Sequence, residues 1–183
     1  MAALAQQVEV RREAAAYIVR AQAELKADRR TAWFTVTDYE RLPQFVPGIL
    51  RVQVLARSGA DGAERLLIEQ EGELRLLWLA QAVRVWLDVR HLAPLRVEAR
   101  SVLPSGIGRE RPTVRDYEGS YALTVIDAGR TRLVYEARFE PAQSLLPLLG
   151  EYLVRRTITE QFRALVAEAD RRGAAQRLEQ AAR

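Results

Sequence analysis

Between residues 14 and 27, AAAYIVRAQAELKA alternates Tyr17, Val19, Ala21, Ala23 and Leu25 with Arg20, Gln22, Glu24 and Lys26. A period of two over that length predicts a strand with one dry face and one wet face. The spacing becomes helical in ADRRTAWFTVTD, where Trp33 and Val36 stand three apart behind Asp28, a residue type that caps helices by accepting from a free backbone N–H. DYERLPQFVPGIL follows, with Tyr39, Leu42, Phe45, Val46, Ile49 and Leu50 crowded around Pro43 and Pro47. Proline has no N–H to donate and drives the preceding residue out of the helical region, so this apolar segment can hold only a broken turn or two.

From Arg51 the pattern is a series of strands. RVQVLARS ends at a turn over residues 59–62, RLLIEQEGELRLLWL and QAVRVWLDVRHL follow, and Ala93-Pro94 makes the next turn before LRVEARSVL. PSGIGRERPT is a longer loop, and VRDYEGSYALTVID with TRLVYEARFE forms a hairpin around Ala128-Gly129-Arg130. Short turns between consecutive strands require antiparallel neighbours, because a parallel crossover needs about a dozen residues or more. Beginning near Gln143, helical spacing takes over for good: Leu148, Tyr152, Ile158, Phe162, Leu165, Val166 and Ala169 form an apolar stripe, with Pro147 near its start and Gly173 past its end. The expected architecture is α+β, a curved antiparallel sheet of about seven strands wrapped around a long C-terminal helix, with two short helices after the first strand. Residues 1–13 read as a polar tail, 14–172 as one domain and 173–183 as a frayed tail.

Composition narrows the function classes. No cysteine is present, which excludes disulfides and thiolate metal sites. The formal net charge is +4, but the basic residues are nearly all arginine and alternate with Asp and Glu, a solvated surface of mixed sign rather than a nucleic-acid footprint. No apolar run approaches the ~20 residues of a membrane span. Ala3-Leu4-Ala5 before Gln6 resembles the end of a secretory signal whose earlier regions are missing, which leans toward an exported, trimmed protein over an ordinary frayed terminus. His91, the only histidine, ends a strand beside Leu92-Ala93-Pro94 and is expected to be a surface or turn residue; it leaves a Ser-His-Asp set or a histidine metal cluster without partners. Gly106-Ile107-Gly108 lacks the rest of a phosphate loop.

The order of elements, the helix followed by DYERLPQFVPGI, the RDYEGSYALT strand and the terminal LVRRTITEQFRALVAEADRR helix resemble the START-like superfamily called SRPBCC, in particular its branch of polyketide cyclase/dehydrases and coenzyme Q-binding proteins. The likeness spans residues from about 14 to 172. It implies a helix-grip fold with a deep hydrophobic cavity between sheet and helix, used across the superfamily for lipids, sterols, quinones or polyketides, with catalysis in some branches only. The loop VLPSGIGRERPT is longer than the resemblance leads one to expect, and could cover one end of the cavity. In this fold type the segment after the first short helices closes the mouth, so Tyr39, Leu42, Phe45, Val46 and Pro47 are expected to form a lip that a hydrophobic ligand, or a membrane delivering one, touches first.

Alternation then assigns the cavity wall. If Val83, Val85, Leu87 and Val89 point inward, so do Leu66, Ile68, Gln70, Leu74 and Leu76; Val97, Ala99 and Ser101; Tyr117, Tyr121, Leu123 and Val125; and Leu133, Tyr135, Ala137 and Phe139. A branched aliphatic face with Gln70, Ser101 and three tyrosines gives a lipophilic ligand apolar area and a few orienting polar groups. Trp78 is a further candidate, and Trp86, on the opposite face, is expected to cover the outer sheet or an oligomer contact. On the long helix, Glu151, Tyr152 and Arg155 lie near the apolar stripe. Glu151 and Arg155, four residues apart, either form a polar anchor inside the cavity or sit in water where the helix overhangs the sheet edge. The expected function is a carrier or chaperone for a small hydrophobic ligand, with transient membrane contact and with no cofactor, metal or nucleic acid. The alternatives are a polyketide cyclase/dehydratase, with Arg155 as its most plausible polar group, and a partner-binding module of the ribosome-associated kind, for which the cavity would be small and filled.

Overall fold

The computed structural model describes residues 6–59, 63–76, 79–105, 111–143 and 149–182. Eight strands form one antiparallel sheet: β1 (Gln7–Glu13), β2 (Ala16–Leu25), β3 (Ile49–Ser58), β4 (Arg65–Leu76), β5 (Leu79–Leu92), β6 (Arg96–Ser101), β7 (Val114–Asp127) and β8 (Arg130–Pro141). Their order is β1-β2-β8-β7-β6-β5-β4-β3. The meander from β3 to β8 keeps chain order, as its short turns demand, while β2 inserts beside β8 with Tyr17 opposite Phe139 and Leu25 opposite Thr131. Between β2 and β3 lie α1 (Arg29–Val36), a 3₁₀ turn (Tyr39–Arg41) and α2 (Leu42–Phe45). The last helix, α3 (Gly150–Ala181), packs Val154, Phe162, Leu165 and Ala169 into the core formed by the sheet's dry face. Among the described residues no helix is long and apolar enough to cross a membrane.

Three expectations are corrected. Residues 7–13 are a strand, not a tail, which brings the expected sheet of about seven strands to eight. Two alternating valines, Val8 and Val10, are a weak signal by themselves; the turn at Ala14 (φ 52°) folds them back onto β2, and Val10 is buried. Gly173 lies inside α3, where a Cβ would stand 2.3 Å from the Lys26 carbonyl oxygen, so this glycine marks a close approach to the β2–α1 connection and not a helix stop. Residues 174–181, expected to fray, remain helical. Gln176 Oε1 accepts from Thr31 Oγ1 at 2.5 Å, Gln176 Nε2 donates to Asp28 Oδ2 at 2.9 Å, and Arg177 Nη1 donates to the Lys26 carbonyl at 2.8 Å. The expected helix start near Gln143, with Pro147 and Leu148, falls largely outside the described residues.

Local chemistry explains the remaining elements. Asp28 Oδ1 accepts from the Thr31 N–H at 2.7 Å and starts α1 as its residue type predicts. After α2, Gly48 adopts φ 77°, a conformation that a side chain would disfavour, and its carbonyl accepts from the Glu73 N–H at 2.8 Å. A Cβ on Gly72 would lie 2.4 Å from that same carbonyl oxygen, so two glycines let the segment after α2 cross β4 in direct backbone contact. Trp86, expected to cover the outer sheet or an oligomer contact, is buried. Residues just after β6 and just before β7 bond β5 there, with Val102 N–H donating to the Trp86 carbonyl at 2.9 Å and Thr113 N–H to the Arg84 carbonyl at 2.9 Å.

Candidate ligand-binding site

A cavity of about 230 Å³ lies between the sheet and α3. Ala99, Gly119 and Ala137 stand opposite one another across β6, β7 and β8, a row of small residues that leaves room for the Tyr117 ring. The rows on either side are aromatic: Tyr121 faces Tyr135, and Tyr117 faces Phe139, which faces Tyr17. Tyr121 and Tyr135 stack with centroids 4.7 Å apart. Tyr117 folds its ring over Gly119, where a Cβ would meet the phenol oxygen at 2.3 Å, and brings its hydroxyl to 3.3 Å from that of Tyr135. Val83, Val85, Leu87 and Val89 of β5 supply an aliphatic wall with Ile68 and Leu74 of β4, and α3 closes the top with Val154, Thr157, Ile158, Gln161, Phe162 and Leu165.

Of the residues expected at the site, the structure brings Tyr39, Leu42, Val46, Gln70, Tyr117, Tyr121 and Tyr135 to this cavity. Phe45 and Pro47 do not line it. Phe45 turns toward α3, where the Arg172 guanidinium lies 5.4 Å from its ring centroid, and the Pro47 carbonyl accepts from Gln161 Nε2 at 3.1 Å. Ser101 is held by backbone: its Oγ accepts from the Tyr117 N–H at 2.9 Å. Val125, expected to point inward, is exposed beside a register irregularity near the end of β7.

Glu151 and Arg155 pair at 2.7 Å outside the cavity, both about half exposed, and Arg155 Nη2 also donates to the Val10 carbonyl at 3.1 Å. The helix overhangs β1 at this point, so the charges clamp the sheet edge and stay wet. Tyr152 is exposed as well. The face of α3 that meets the cavity lies instead among Val154, Ile158, Gln161 and Leu165. Trp78 and residues 106–110 of the long loop lie outside the described residues; Thr113, at the end of that loop, and Val114, which follows it, line the cavity.

Sequence reasoning missed His91, which is buried and not a surface residue. Its Nδ1 lies 3.0 Å from Glu64 Oε2, its Nε2 lies 2.7 Å from Tyr39 Oη, and the Trp33 ring meets it edge-on with centroids 5.3 Å apart. Desolvation holds the imidazole below its ordinary pKa of 6.5, outweighing the upward pull of Glu64. Burial likewise raises the pKa of Tyr39, Tyr117, Tyr121 and Tyr135, so all four phenols stay protonated at neutral pH. The result is an apolar cavity furnished with neutral hydroxyl and amide groups, suited to a molecule with a large hydrocarbon or ring surface and a few polar atoms.

Residues 25–166 match the family described as polyketide cyclase / dehydrase and lipid transport. The chain belongs to that family. No curated protein matches it. Among solved structures, a START superfamily protein from Mycobacterium smegmatis is similar, with a TM-score of 0.62 at 19% identity over 87% of this chain and 98% of that one. The Zhui aromatase/cyclase from Streptomyces sp. R1128 has a TM-score of 0.64 at 17% identity, over 86% and 95% of the two chains. Human StAR-related lipid transfer protein 5 has a TM-score of 0.63 at 8% identity, over 92% and 88%. At such identities the likeness is one of fold. The family binds hydrophobic ligands.

Proposed function

We propose that this protein is a carrier or chaperone for a small lipophilic molecule, held between the sheet and α3 and exchanged at the lip formed by Tyr39, Leu42 and Val46. The observation that carries this reading is the cavity itself, walled by aliphatic and aromatic side chains. A partner-binding module would be expected to fill that space. The carrier reading is favoured over turnover because the ionisable groups lining the cavity, among the described residues, are Glu73 and four tyrosines, and burial keeps the tyrosines neutral. Arg155, the group an enzymatic reading would call on, is engaged with Glu151 and β1. Native mass spectrometry of the purified protein, followed by organic extraction, tests the proposal. A retained lipid or quinone-like molecule at near-stoichiometric amount is the expected result. An empty protein that also fails to take up quinones, fatty alcohols and polyketide mimics would refute it.

A further inference from the structure

Behind the lip runs a chain of polar groups from the surface to the cavity wall. Arg57 Nη1 donates to Glu64 Oε1 at 2.7 Å, and a carboxylate can only accept. Its other oxygen, 3.0 Å from His91 Nδ1, requires that nitrogen to carry the ring proton. Desolvation favours the neutral imidazole, which leaves Nε2 bare at neutral pH. A bare Nε2 at 2.7 Å from Tyr39 Oη accepts the phenol's hydrogen. The two ring planes lie 25° apart with centroids 5.7 Å apart, which fits an in-plane approach to the nitrogen lone pair. Tyr39 therefore turns its proton toward His91 and has only lone pairs left for whatever occupies the cavity.

Charge restricts the occupant further. Among the described residues that line the cavity there is no lysine or arginine, and Glu73 is the one charged side chain. A carboxylate or phosphate entering this space would lose its hydration without meeting a cation among those residues, a cost far larger than the hydrogen bonds could return. Gln70 and Tyr121 line the cavity with their polar groups unpaired among the described residues, ready for a second contact with a neutral ligand.

We infer that the cavity selects an uncharged ligand bearing a hydroxyl or similar donor, that Tyr39 Oη accepts from it, and that Glu64 and His91 are positioning residues which set this polarity. The inference rests on the ligand-binding reading above and specifies its chemistry. It is tested at pH 7.5 by titration calorimetry with 2-naphthol, its methyl ether and 2-naphthoate, three probes of nearly equal shape. The naphthol should bind about five- to tenfold tighter than the ether, the worth of one net hydrogen bond, and the naphthoate should bind more weakly than both. Tyr39→Phe should level naphthol and ether without weakening the ether. His91→Phe, which frees the Tyr39 proton, should narrow the ratio by strengthening the ether. A merely structural role for His91 would instead weaken all probes together. Ether binding equal to naphthol in the wild-type protein, or naphthoate binding best, overturns this inference and leaves the carrier reading standing. Failure of all three probes to bind a protein that also extracts empty overturns both. The wild-type ratio decides even if a variant does not fold.

Discussion

With a single histidine in the chain, one imidazole signal reports on the buried Glu64–His91–Tyr39 contact. Its folded pKa is depressed, so folding favours the neutral ring. The stabilisation is present above about 6.5, the unfolded value, and is lost as pH falls toward the folded one. An NMR titration should place the His91 midpoint below 6.5. The urea midpoint should fall more between pH 7.5 and pH 5.5 in the wild-type protein than in His91→Phe, and equal falls would show that His91 is not the group responsible. Glycines give a second contrast at this scale. A methyl on Gly119 meets the end of the Tyr117 side chain, which can move, whereas a methyl on Gly72 meets the Gly48 backbone, which is held by Glu73. Gly119→Ala should change thermal stability by less than about 1 kcal/mol while altering probe affinity, and Gly72→Ala should cost about 2–3 kcal/mol. Tyr117, Tyr121, Tyr135 and Gln70 could be placed from alternation alone, because a strand sends every second side chain to one face. His91 could not, since its burial is made by Trp33, Tyr39 and Glu64, which come from other segments of the chain.

α3 shows where element-level reading succeeds and where it stops. Helical spacing finds the helix and its core residues Phe162, Leu165 and Ala169, but a glycine near the end of such a pattern reads as a stop. Only the position of Lys26 and Ala27 against the helix explains why it continues. Replacing Gly173 by alanine should therefore lower stability by about 1–3 kcal/mol in chemical denaturation, against the gain of about 1 kcal/mol that helix propensity alone would give. At the other end, Arg155→Ala removes an exposed clamp to β1. It should cost less than about 1 kcal/mol and leave probe binding unchanged. Loss of binding in that variant would return Arg155 to the site. β1 escaped notice for a related reason: a short edge strand is defined by the partner it bonds, and QVEVRRE carries too few apolar residues to announce one.

For the whole molecule, a ligand that binds only the folded state raises its stability by mass action. A true ligand at a hundredfold excess over its Kd adds about 2.7 kcal/mol, or about 5–10 °C in Tm for a chain of this size. Scanning fluorimetry with the neutral probes should show such a shift, and Gly119→Ala should change its size. The helix-grip architecture follows from the strand count, the turn chemistry and the final helix. The cavity wall needs pairing information that no local pattern holds, since Ala99 and Gly119, or Tyr121 and Tyr135, become neighbours only once the strands are in register.

The insertion of β2 beside β8 also sets a timetable for synthesis. The meander from β3 to β8 can assemble hairpin by hairpin as it emerges from the ribosome, but the first hairpin must wait for a partner near the far end of the chain, and α3 comes later still. Until then Tyr17, Val19 and Leu25, all buried in the finished protein, face the cell without cover. The nascent chain is thus most open to misassociation at the β1–β2 hairpin, and truncation before β8 should yield an insoluble product rather than a smaller domain.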